Sequence, residues 1–429
     1  MQNSVVLNMQ SGQTRYRYLC FIDWLLPIYL LLTMPLFYLG IDFGFVFKGL
    51  AIIYIMFYLI RFGFPNNKLA KLFTAFFLLV LFSFIQYIYN ERPFSCFLGE
   101  ASNYLLAMSF FYVGVTDDRA GRSFYKKLAY ATAITFLIGL ICYVLTPSWY
   151  VARVLDVINS TSVVEYNEYN VLDRMRFSAF WGDSYPVSHF SVFCIAIAIF
   201  DVIYDKGRDK SIALICLLVG LIASIASMHR ASIAGSLIAL GLYFYCNHRL
   251  HKTKNNIRLV LLMTTIVAVI LIVSQDLGER IESIFGMITE RVDDNMSLSK
   301  AYAERKNTNE LISSMKFFVL GHGLGSGGIL VRPYGFPGIS DMQYIKMFFE
   351  NGIVGAFLFI VLMLNILKIG IKYIRFYVTD LAIVMFILFA MIGSNSLSIY
   401  FLYVVPFWYA AGRICNNKYL QQLKTEGWK

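Results

Sequence analysis

Apolar residues recur in long runs along most of this chain, and short stretches with charged residues separate the runs. A helix needs about 20 mainly apolar residues to cross the hydrocarbon core of a bilayer, and the runs reach or approach that length. They predict helices at residues 20–39, 45–61, 70–89, 97–115, 128–146, 186–204, 211–228, 231–247, 258–275, 348–367, 379–393 and 397–412. The pattern therefore predicts an all-α polytopic integral membrane protein with about 12 transmembrane helices, in a single membrane domain that covers residues 1–429.

The composition supports the same fold class. Apolar residues make up 58% of the 429 positions and charged residues only 15%, whereas a soluble domain has about 45–50% and about 25%. The net charge of +11 could indicate a nucleic-acid partner, but the basic residues are spread over many short connections instead of clustering in one soluble region. The composition excludes a soluble globular protein, and we predict no nucleic-acid partner.

The distribution of basic residues predicts the orientation. Lys and Arg gather in the short loops that stay in the cytoplasm. Connections predicted to be cytoplasmic carry Arg61, Lys68, Lys71, Arg119, Arg122, Lys126, Lys127, Lys206, Arg208, Lys210, Arg249, Lys252, Lys254, Arg258, Lys368, Lys372 and Arg375. Both termini are then cytoplasmic. Arg15 and Arg17 precede the first apolar run and no small-residue cleavage pattern follows it, so we expect a retained signal-anchor helix.

Two connections on the opposite face are long, at residues 147–185 and 275–347. Neither is low-complexity or proline-rich, so both are predicted to fold as caps over the helices. Arg280 and Arg291 share one edge of an apolar helical stripe at residues 276–292, because their separation equals about three helical turns. They could bind lipid phosphates, or they could simply reach toward the headgroups from an interfacial helix.

A glycine-rich segment from Gly321 to Gly328 follows Arg305 in the second loop and contains His322. Glycine lets backbone amides approach and cradle an anion, although such a run is equally typical of a plain turn. Asp341 precedes the tenth predicted helix, where a carboxylate is commonly a helix N-cap. Pattern alone therefore favours a structural interpretation over a functional one for both His322 and Asp341.

Other charged residues lie at unexpected positions. Arg176 lies among aromatic residues just before a predicted helix, and it could bind phosphate or pair with a neighbouring aspartate. Arg230 is an exception to the charge rule, since its short connection lies on the face that carries few basic residues. Lys48 and Glu100 lie inside predicted helices, where ionisable groups indicate function, and they could form a pair.

Four short elements together resemble the bacterial O-antigen polymerase and O-antigen ligase superfamily. Its ligases carry a His at the end of the large periplasmic loop with Gly at the eleventh and fourteenth positions after it, and here Asp341 is followed by Gly352 and Gly355 at those spacings. The other elements are Arg305 with Gly321–Ser326, Ser227–Arg230, and Arg176 with Gly182 and Asp183. Because Asp341 stands in place of the ligase His, and Met342 in place of a small polar residue, the resemblance favours a polymerase.

The resemblance implies polymerisation of undecaprenyl pyrophosphate-linked oligosaccharide repeat units into a long surface polysaccharide, O-antigen or similar, at the periplasmic face of the bacterial inner membrane. We expect a glycosyltransferase without a cofactor, and a metal-independent one because neither loop contains an Asp-x-Asp motif. The alternatives are an O-antigen ligase and a non-enzymatic lipid-linked oligosaccharide flippase or transporter. The partners implied are the lipid-linked saccharides, the bilayer and a membrane protein that regulates chain length.

The same resemblance assigns roles to individual residues. Pyrophosphate leaves readily once its charge is neutralised, and Arg offers a planar fork of donors that matches phosphate geometry. Asp341 is the first candidate for the general base that deprotonates the acceptor hydroxyl, and His322 is the second. The residues expected to bind pyrophosphate or saccharide are Arg176, Arg230, Arg291, Arg305, Arg280 and Tyr344.

Overall fold

The computed structural model describes residues 2–41, 44–89, 93–117, 122–159, 171, 176–204, 207–250, 319–328, 331, 343–394, 396–397 and 401–416. The chain divides into two compact units, Met1–Tyr243 with Phe317–Lys429 and Phe244–Lys316. Nearly all described residues belong to the first unit. The predicted helix at 258–275 and the apolar stripe at 276–292 lie outside the described residues.

The described residues form helices and no strand. The helices are α1 (Gln2–Leu39), α2 (Gly44–Phe62), α3 (Lys68–Phe82), α4 (Phe84–Tyr89), α5 (Phe94–Thr116), α6 (Arg122–Leu145), α7 (Ser148–Asn159), α8 (Ser184–Tyr204), α9 (Arg208–Ala226), α10 (Arg230–Leu250), α11 (Gln343–Lys372), α12 (Ile374–Ala390) and α13 (Phe401–Ile414).

Within these residues, six helical stretches are long and apolar enough to cross a membrane. They are Cys20–Leu39, Lys68–Tyr87, Ser123–Leu145, Ser184–Val202, Arg208–Ala226 and Gln343–Lys372. The prediction of a helical, multi-pass membrane protein is therefore confirmed. The number of twelve crossings stays a prediction.

Each predicted helix within the described residues overlaps an observed one, although α1 and α12 begin earlier than predicted, at Gln2 and Ile374, and two further helices differ locally. The helix predicted at 70–89 is divided at Ser83 into α3 and α4, where the Ser83 hydroxyl donates to the Val80 carbonyl (2.6 Å) and competes with the helix ladder. α11 begins at Gln343, before the predicted residue 348, and it is kinked at Gly352, which has φ 65 and ψ −171. Both differences arise where the glycine-rich segment contacts the helices.

Helices α5 and α13 approach each other very closely through two glycines. A Cβ atom at Gly412 would lie 2.1 Å from the Phe111 carbonyl oxygen, and one at Gly114 would lie 2.2 Å from the Tyr409 carbonyl oxygen. Small residues that let helix backbones approach are typical of packing inside membranes. Beside this contact Phe73 stacks on Phe111 with 3.9 Å between the ring centroids, so aromatic rings fill the core around the glycines.

Replacing Gly412 by alanine is expected to force α5 and α13 apart and to destabilise the protein by about 1–3 kcal/mol, as overpacking of a core does. The matched control is Gly49→Ala in α2, where a Cβ would meet no atom within 4 Å. That change should leave stability unchanged or raise it slightly, because alanine favours helix. Thermal unfolding of the purified proteins in detergent measures both, and equal midpoints for wild type and Gly412→Ala would contradict the packing argument.

A buried polar network ties the end of α5 to three other helices. Arg413 Nε of α13 lies 2.9 Å from Asp380 Oδ1 of α12, and the Tyr125 hydroxyl of α6 donates to the same oxygen. Tyr409 donates to the carboxylate of Asp117, which follows α5. All five side chains are buried. Since a buried charge that loses its partner is costly, this Asp380 network fixes the arrangement of α5, α6, α12 and α13 at this end of the bundle.

Candidate functional site

Buried polar residues also collect at the opposite end of the bundle, where α8 and α11 begin. The Gln343 N–H at the start of α11 donates to the Met391 carbonyl just after α12 (3.2 Å). His189, near the start of α8, lies against Phe386 near the end of α12, with 5.2 Å between ring centroids. Two groups of side chains meet at this end, one around Arg176 and one around Lys346.

Arg176 lies in the segment that precedes α8, and this segment is packed inside the protein. The Phe177 N–H donates to the Ala226 carbonyl at the end of α9 (3.0 Å), and the Tyr150 hydroxyl of α7 donates to the Ala179 carbonyl (2.7 Å). Ala179 has φ 47, a left-handed conformation that is uncommon for residues other than glycine. These bonds hold the segment between α7 and α9, so that Arg176 is only 4% exposed.

Asp183 caps the start of α8. Its carboxylate accepts the N–H of Tyr185 (3.0 Å), which satisfies one of the unpaired donors in the first helical turn. Gly182 has φ 62, and a Cβ there would lie 2.6 Å from Val157 Cγ1 of α7. The element formed by Arg176, Gly182 and Asp183 therefore consists of a buried cation, a tight turn and a helix cap.

Hydroxyl groups shape the short turn between α9 and α10 that presents His229. The Ser227 hydroxyl donates to the Ser224 carbonyl (2.8 Å), and the Ser232 hydroxyl donates to the His229 carbonyl (2.7 Å). Met228 has φ 50, which reverses the chain within this turn. The serines thus hold His229 at the end of α9.

His229 contacts the first residues of α8. Its Nε2 lies 2.7 Å from Ser184 Oγ, and its ring centroid lies 4.6 Å from that of Tyr185. Burial, together with the charges of Arg176 and His189, lowers the pKa of His229 from 6.5 to about 3. The imidazole of His229 is therefore neutral at neutral pH.

Arg176, Ser184, Tyr185 and His229 are termed the Arg176–His229 cluster. It combines a permanent cation, a neutral imidazole held by a hydroxyl, and a half-buried aromatic ring. A guanidinium binds phosphate strongly because its donors match the spacing of phosphate oxygens. The cluster can therefore hold an anion beside a group that is able to accept a proton.

The glycine turn, residues 319–328, fills the break in α11. The Gly323 N–H donates to the Glu350 carbonyl (2.9 Å), and the Val354 N–H donates to the Val319 carbonyl (3.2 Å). A helix that breaks at Gly352 leaves carbonyls before the break and amides after it without helical partners. The glycine turn supplies those partners on both sides of the break.

Two glycines make this contact possible. Gly321 has φ 75 and Gly352 has φ 65, and a Cβ at Gly321 would lie 2.4 Å from the Gly352 nitrogen. A Cβ at Gly352 would lie 2.4 Å from the Val319 carbonyl oxygen. The glycine at the eleventh position after Asp341 therefore marks a helix break that a second chain segment enters.

Lys346 lies between two carboxylates inside the protein. Its Nζ bonds to Glu100 Oε1 of α5 and lies 3.7 Å from Glu350 Oε1, one turn later in α11. The N–H groups of Gly325 and Gly327 donate to the same Glu350 oxygen, at 2.9 and 3.1 Å. Glu100, Lys346 and Glu350, all buried, are termed the Lys346 triad, and they join α5, α11 and the glycine turn.

The glycine pattern predicts amides that cradle an anion, and the anion in the structure is a carboxylate of the chain itself. The amides of Gly325 and Gly327 are occupied by Glu350, so these two are not available to a substrate phosphate. Sequence reasoning missed Lys346 and Glu350. Their separation of four residues beside an apolar run is the spacing of a helical ion pair, and that spacing is the signal that could have found them.

Two predicted site residues of this region have structural contacts of their own. The His322 ring stacks on Phe349 with 4.3 Å between the centroids and an angle of 13°. The Tyr344 hydroxyl donates to the Leu388 carbonyl (2.7 Å), which ties α11 to α12. His322 therefore helps to seat the glycine turn, and Tyr344 helps to hold the start of α11.

The other predicted residues are described in part or lie outside the described residues. Arg230 begins α10 directly after His229, but its side chain is outside them. The remaining predicted residues outside them are Asp341, Arg280, Arg291 and Arg305. Their roles stay predictions. Within the described ranges, no group of three or more His, Cys, Asp or Glu side chains could hold a metal ion.

Comparison with known proteins found no match to a protein-family model and no significant match among curated proteins. The resemblance to the polymerase and ligase superfamily therefore rests on the short elements of the sequence. The geometry of the Arg176–His229 cluster is the structural feature that bears on function.

Proposed function

We propose that the protein is a glycosyltransferase that polymerises undecaprenyl pyrophosphate-linked oligosaccharide repeat units into a long surface polysaccharide, at the periplasmic face of the bacterial inner membrane. The growing chain is the donor, and a single repeat unit is the acceptor. The observation that carries the proposal is Arg176, a guanidinium 4% exposed at one end of a helical membrane protein, in a segment bonded to the end of α9 just before His229.

The position of Arg176 suits a lipid-linked pyrophosphate. Such a lipid carries its charged group at the membrane interface, which is the level at which membrane helices begin and end. In a site with little water, a charge-assisted hydrogen bond from guanidinium to phosphate is stronger than in bulk water. Negative charge develops on the pyrophosphate as it leaves, and Arg176 stabilises that charge in the transition state.

The positive-inside rule supports a periplasmic location for the cluster. Lys68 and Lys71 begin α3 and Lys372 ends α11, at the end of the bundle that holds the Asp380 network. Basic residues at that end favour the cytoplasm, where both termini would also lie. The Arg176–His229 cluster is at the other end, which is the side on which lipid-linked repeat units are polymerised under this proposal.

The remaining residues keep the roles that the resemblance implies. Asp341 and His322 are candidate bases, and the candidate substrate-binding residues besides Arg176 are Arg230, Arg280, Arg291, Arg305 and Tyr344. A membrane protein that regulates chain length is the expected partner.

The test is the surface polysaccharide of a strain that lacks this protein, run on a gel beside the complemented strain. We expect single repeat units without the protein and a full ladder after complementation. Long chains that accumulate on the lipid carrier would indicate a ligase, and repeat units retained on the cytoplasmic face would indicate a flippase. Unchanged polysaccharide in the deletion strain would overturn the proposal.

A further inference from the structure

We infer that His229 accepts the proton of the acceptor hydroxyl in the proposed transfer, and that Ser184 is the residue that positions its ring. The inference rests on the proposed function and adds a catalytic residue that the sequence elements do not assign. It is carried by one juxtaposition: His229 Nε2 lies 2.7 Å from Ser184 Oγ, and Phe177, the residue after Arg176, donates to the Ala226 carbonyl (3.0 Å) three residues before His229.

Nε2 of His229 makes a hydrogen bond within the described residues, whereas Nδ1 does not. Nε2 is bonded to Ser184, which is 2% exposed, whereas His229 itself is half-buried. Among the described residues Nδ1 makes no hydrogen bond, and the atom is not fully enclosed by protein. When Nε2–H donates to Ser184, Nδ1 carries the lone pair. Nδ1 is thus the nitrogen that an acceptor hydroxyl can reach.

The surroundings of His229 keep Nδ1 unprotonated until the donor binds. Burial and the charges of Arg176 and His189 lower the pKa of His229 to about 3. Among the described residues, the other titratable group against the ring is Tyr185, and Asp183 lies next to it at the start of α8. A pyrophosphate bound at Arg176 offsets the positive charge that opposes protonation, so the basicity of His229 rises. The donor substrate therefore turns His229 into a more effective base.

The proposed step balances in atoms and charge. The acceptor oxygen attacks the anomeric carbon of the donor sugar, and the bond from that carbon to the pyrophosphate oxygen breaks. The electron pair leaves with the pyrophosphate beside Arg176. The hydroxyl proton moves to Nδ1 of His229, while Nε2–H stays bonded to Ser184. The imidazolium then releases the proton to water or to the departed pyrophosphate.

His322 is placed differently from His229. Its ring lies flat against Phe349, and its backbone N–H donates to the Phe349 carbonyl (2.9 Å) at the break of α11. His229 instead follows the end of α9, to which the segment of the buried Arg176 is bonded through the Phe177 N–H and the Ala226 carbonyl (3.0 Å). Of these two histidines, His229 is therefore the one next to the group that would bind pyrophosphate.

The test uses the full-length protein, purified and reconstituted in phospholipid vesicles, with a synthetic undecaprenyl pyrophosphate-linked repeat unit as the probe. His229→Gln should lower kcat by about 10²–10⁴-fold, the usual contribution of a general base, with KM changed less than about 3-fold. Ser184→Ala should lower kcat by about 10-fold, because it removes only the group that orients the ring. The matched control is Ser211→Ala, an exposed hydroxyl near the start of α9, which should have wild-type kcat.

The pH profile separates catalysis from a folding defect. The wild-type kcat should fall as the pH is lowered toward the pKa of His229 in the donor complex, which the bound pyrophosphate raises above the value of about 3 in the free protein, because Nδ1 then becomes protonated. The residual rate of His229→Gln should lack this fall, and Ser184→Ala should shift it. A purely structural role would lower the amount of active protein equally at every pH.

The outcomes distinguish the two proposals. Wild-type kcat and an unchanged pH profile in His229→Gln would overturn the inference and leave the proposed function standing. A wild-type protein that does not lengthen the lipid-linked chains would overturn the proposed function itself. If His229→Gln does not accumulate in the membrane, the pH profile of Ser184→Ala decides, and an unshifted profile would overturn the inference.

Discussion

Lys346→Met should remove most of the folded protein from the membrane. The change would leave the carboxylates of Glu100 and Glu350 buried without the cation that lies between them. Removing one partner of a buried ion pair costs about 3–5 kcal/mol, a large share of the about 5–15 kcal/mol by which a protein is stable. The measurements are the amount of full-length protein in the membrane fraction and its thermal unfolding in detergent.

A control and a rescue separate lost charge from lost packing. Lys368→Met changes an exposed lysine of the same helix and should have no effect on abundance. Adding Glu100→Gln and Glu350→Gln to Lys346→Met should restore much of the stability, since no unpaired charge then remains. A glutamine oxygen at position 350 can still accept from the glycine-turn amides. If Lys346→Met is as stable as wild type, the Lys346 triad does not stabilise the contact between α5, α11 and the glycine turn.

Arg176→Ala should abolish chain extension while the protein is still made and inserted. The change removes the guanidinium that we propose stabilises the leaving pyrophosphate, and loss of one such donor typically lowers kcat by about 10²–10³-fold. Arg176→Lys should retain part of the activity, because lysine keeps the charge and loses the planar fork of donors. The measurements are the polysaccharide ladder in cells and the rate of chain extension by the purified protein.

The matched control for Arg176 is Arg153 of α7. Arg153 is partly exposed and forms an ion pair with the exposed Asp156 at 2.9 Å, and solvent-accessible pairs of this kind contribute about 0–1 kcal/mol. Arg153→Ala should therefore leave a wild-type ladder. If Arg176→Ala is present in the membrane in normal amounts and still makes polysaccharide of wild-type chain length, the role of Arg176 that carries the proposed function is wrong.

The Lys346 triad and the Arg176–His229 cluster lie at the same end of the bundle, but they differ in which polar atoms remain accessible. In the Lys346 triad the lysine faces two carboxylates, and the amides of the glycine turn complete the contacts of Glu350. In the Arg176–His229 cluster, Nδ1 of a half-buried His229 is open. The Lys346 triad is therefore suited to stabilising the fold, and the Arg176–His229 cluster is suited to binding a substrate and accepting a proton.

The break in α11 also has a physical cause. Inside a membrane, backbone that leaves the helical conformation is tolerated only where protein groups or water satisfy its amides and carbonyls. Here the glycine turn satisfies them around Gly352. The spacing of Gly352 after Asp341 resembles that of a catalytic element, but in the described residues Gly352 itself serves the contact between the turn and the broken helix.

The sequence by itself determined the helical membrane class and most helix positions, and it made Arg176 a candidate for phosphate binding. Length and apolarity of a segment are local properties, so they predict a helix without knowledge of its neighbours. Arg176 can be singled out because it lies among aromatic residues just before a predicted helix. The resemblance also directed attention to the residues around His229, although it assigned that histidine no role.

Only the tertiary structure decided which polar groups meet. Lys346 finds Glu100 in a helix 246 residues away in the chain, and Ser184 meets His229 across 45 residues. Apolar faces of membrane helices resemble one another, so the hydrophobic pattern does not select which helices pack together. Two kinds of contact select which helices pack together: close backbone approach at small residues such as Gly412 and Gly321, and pairing of buried charges. Both depend on atoms that are distant in sequence.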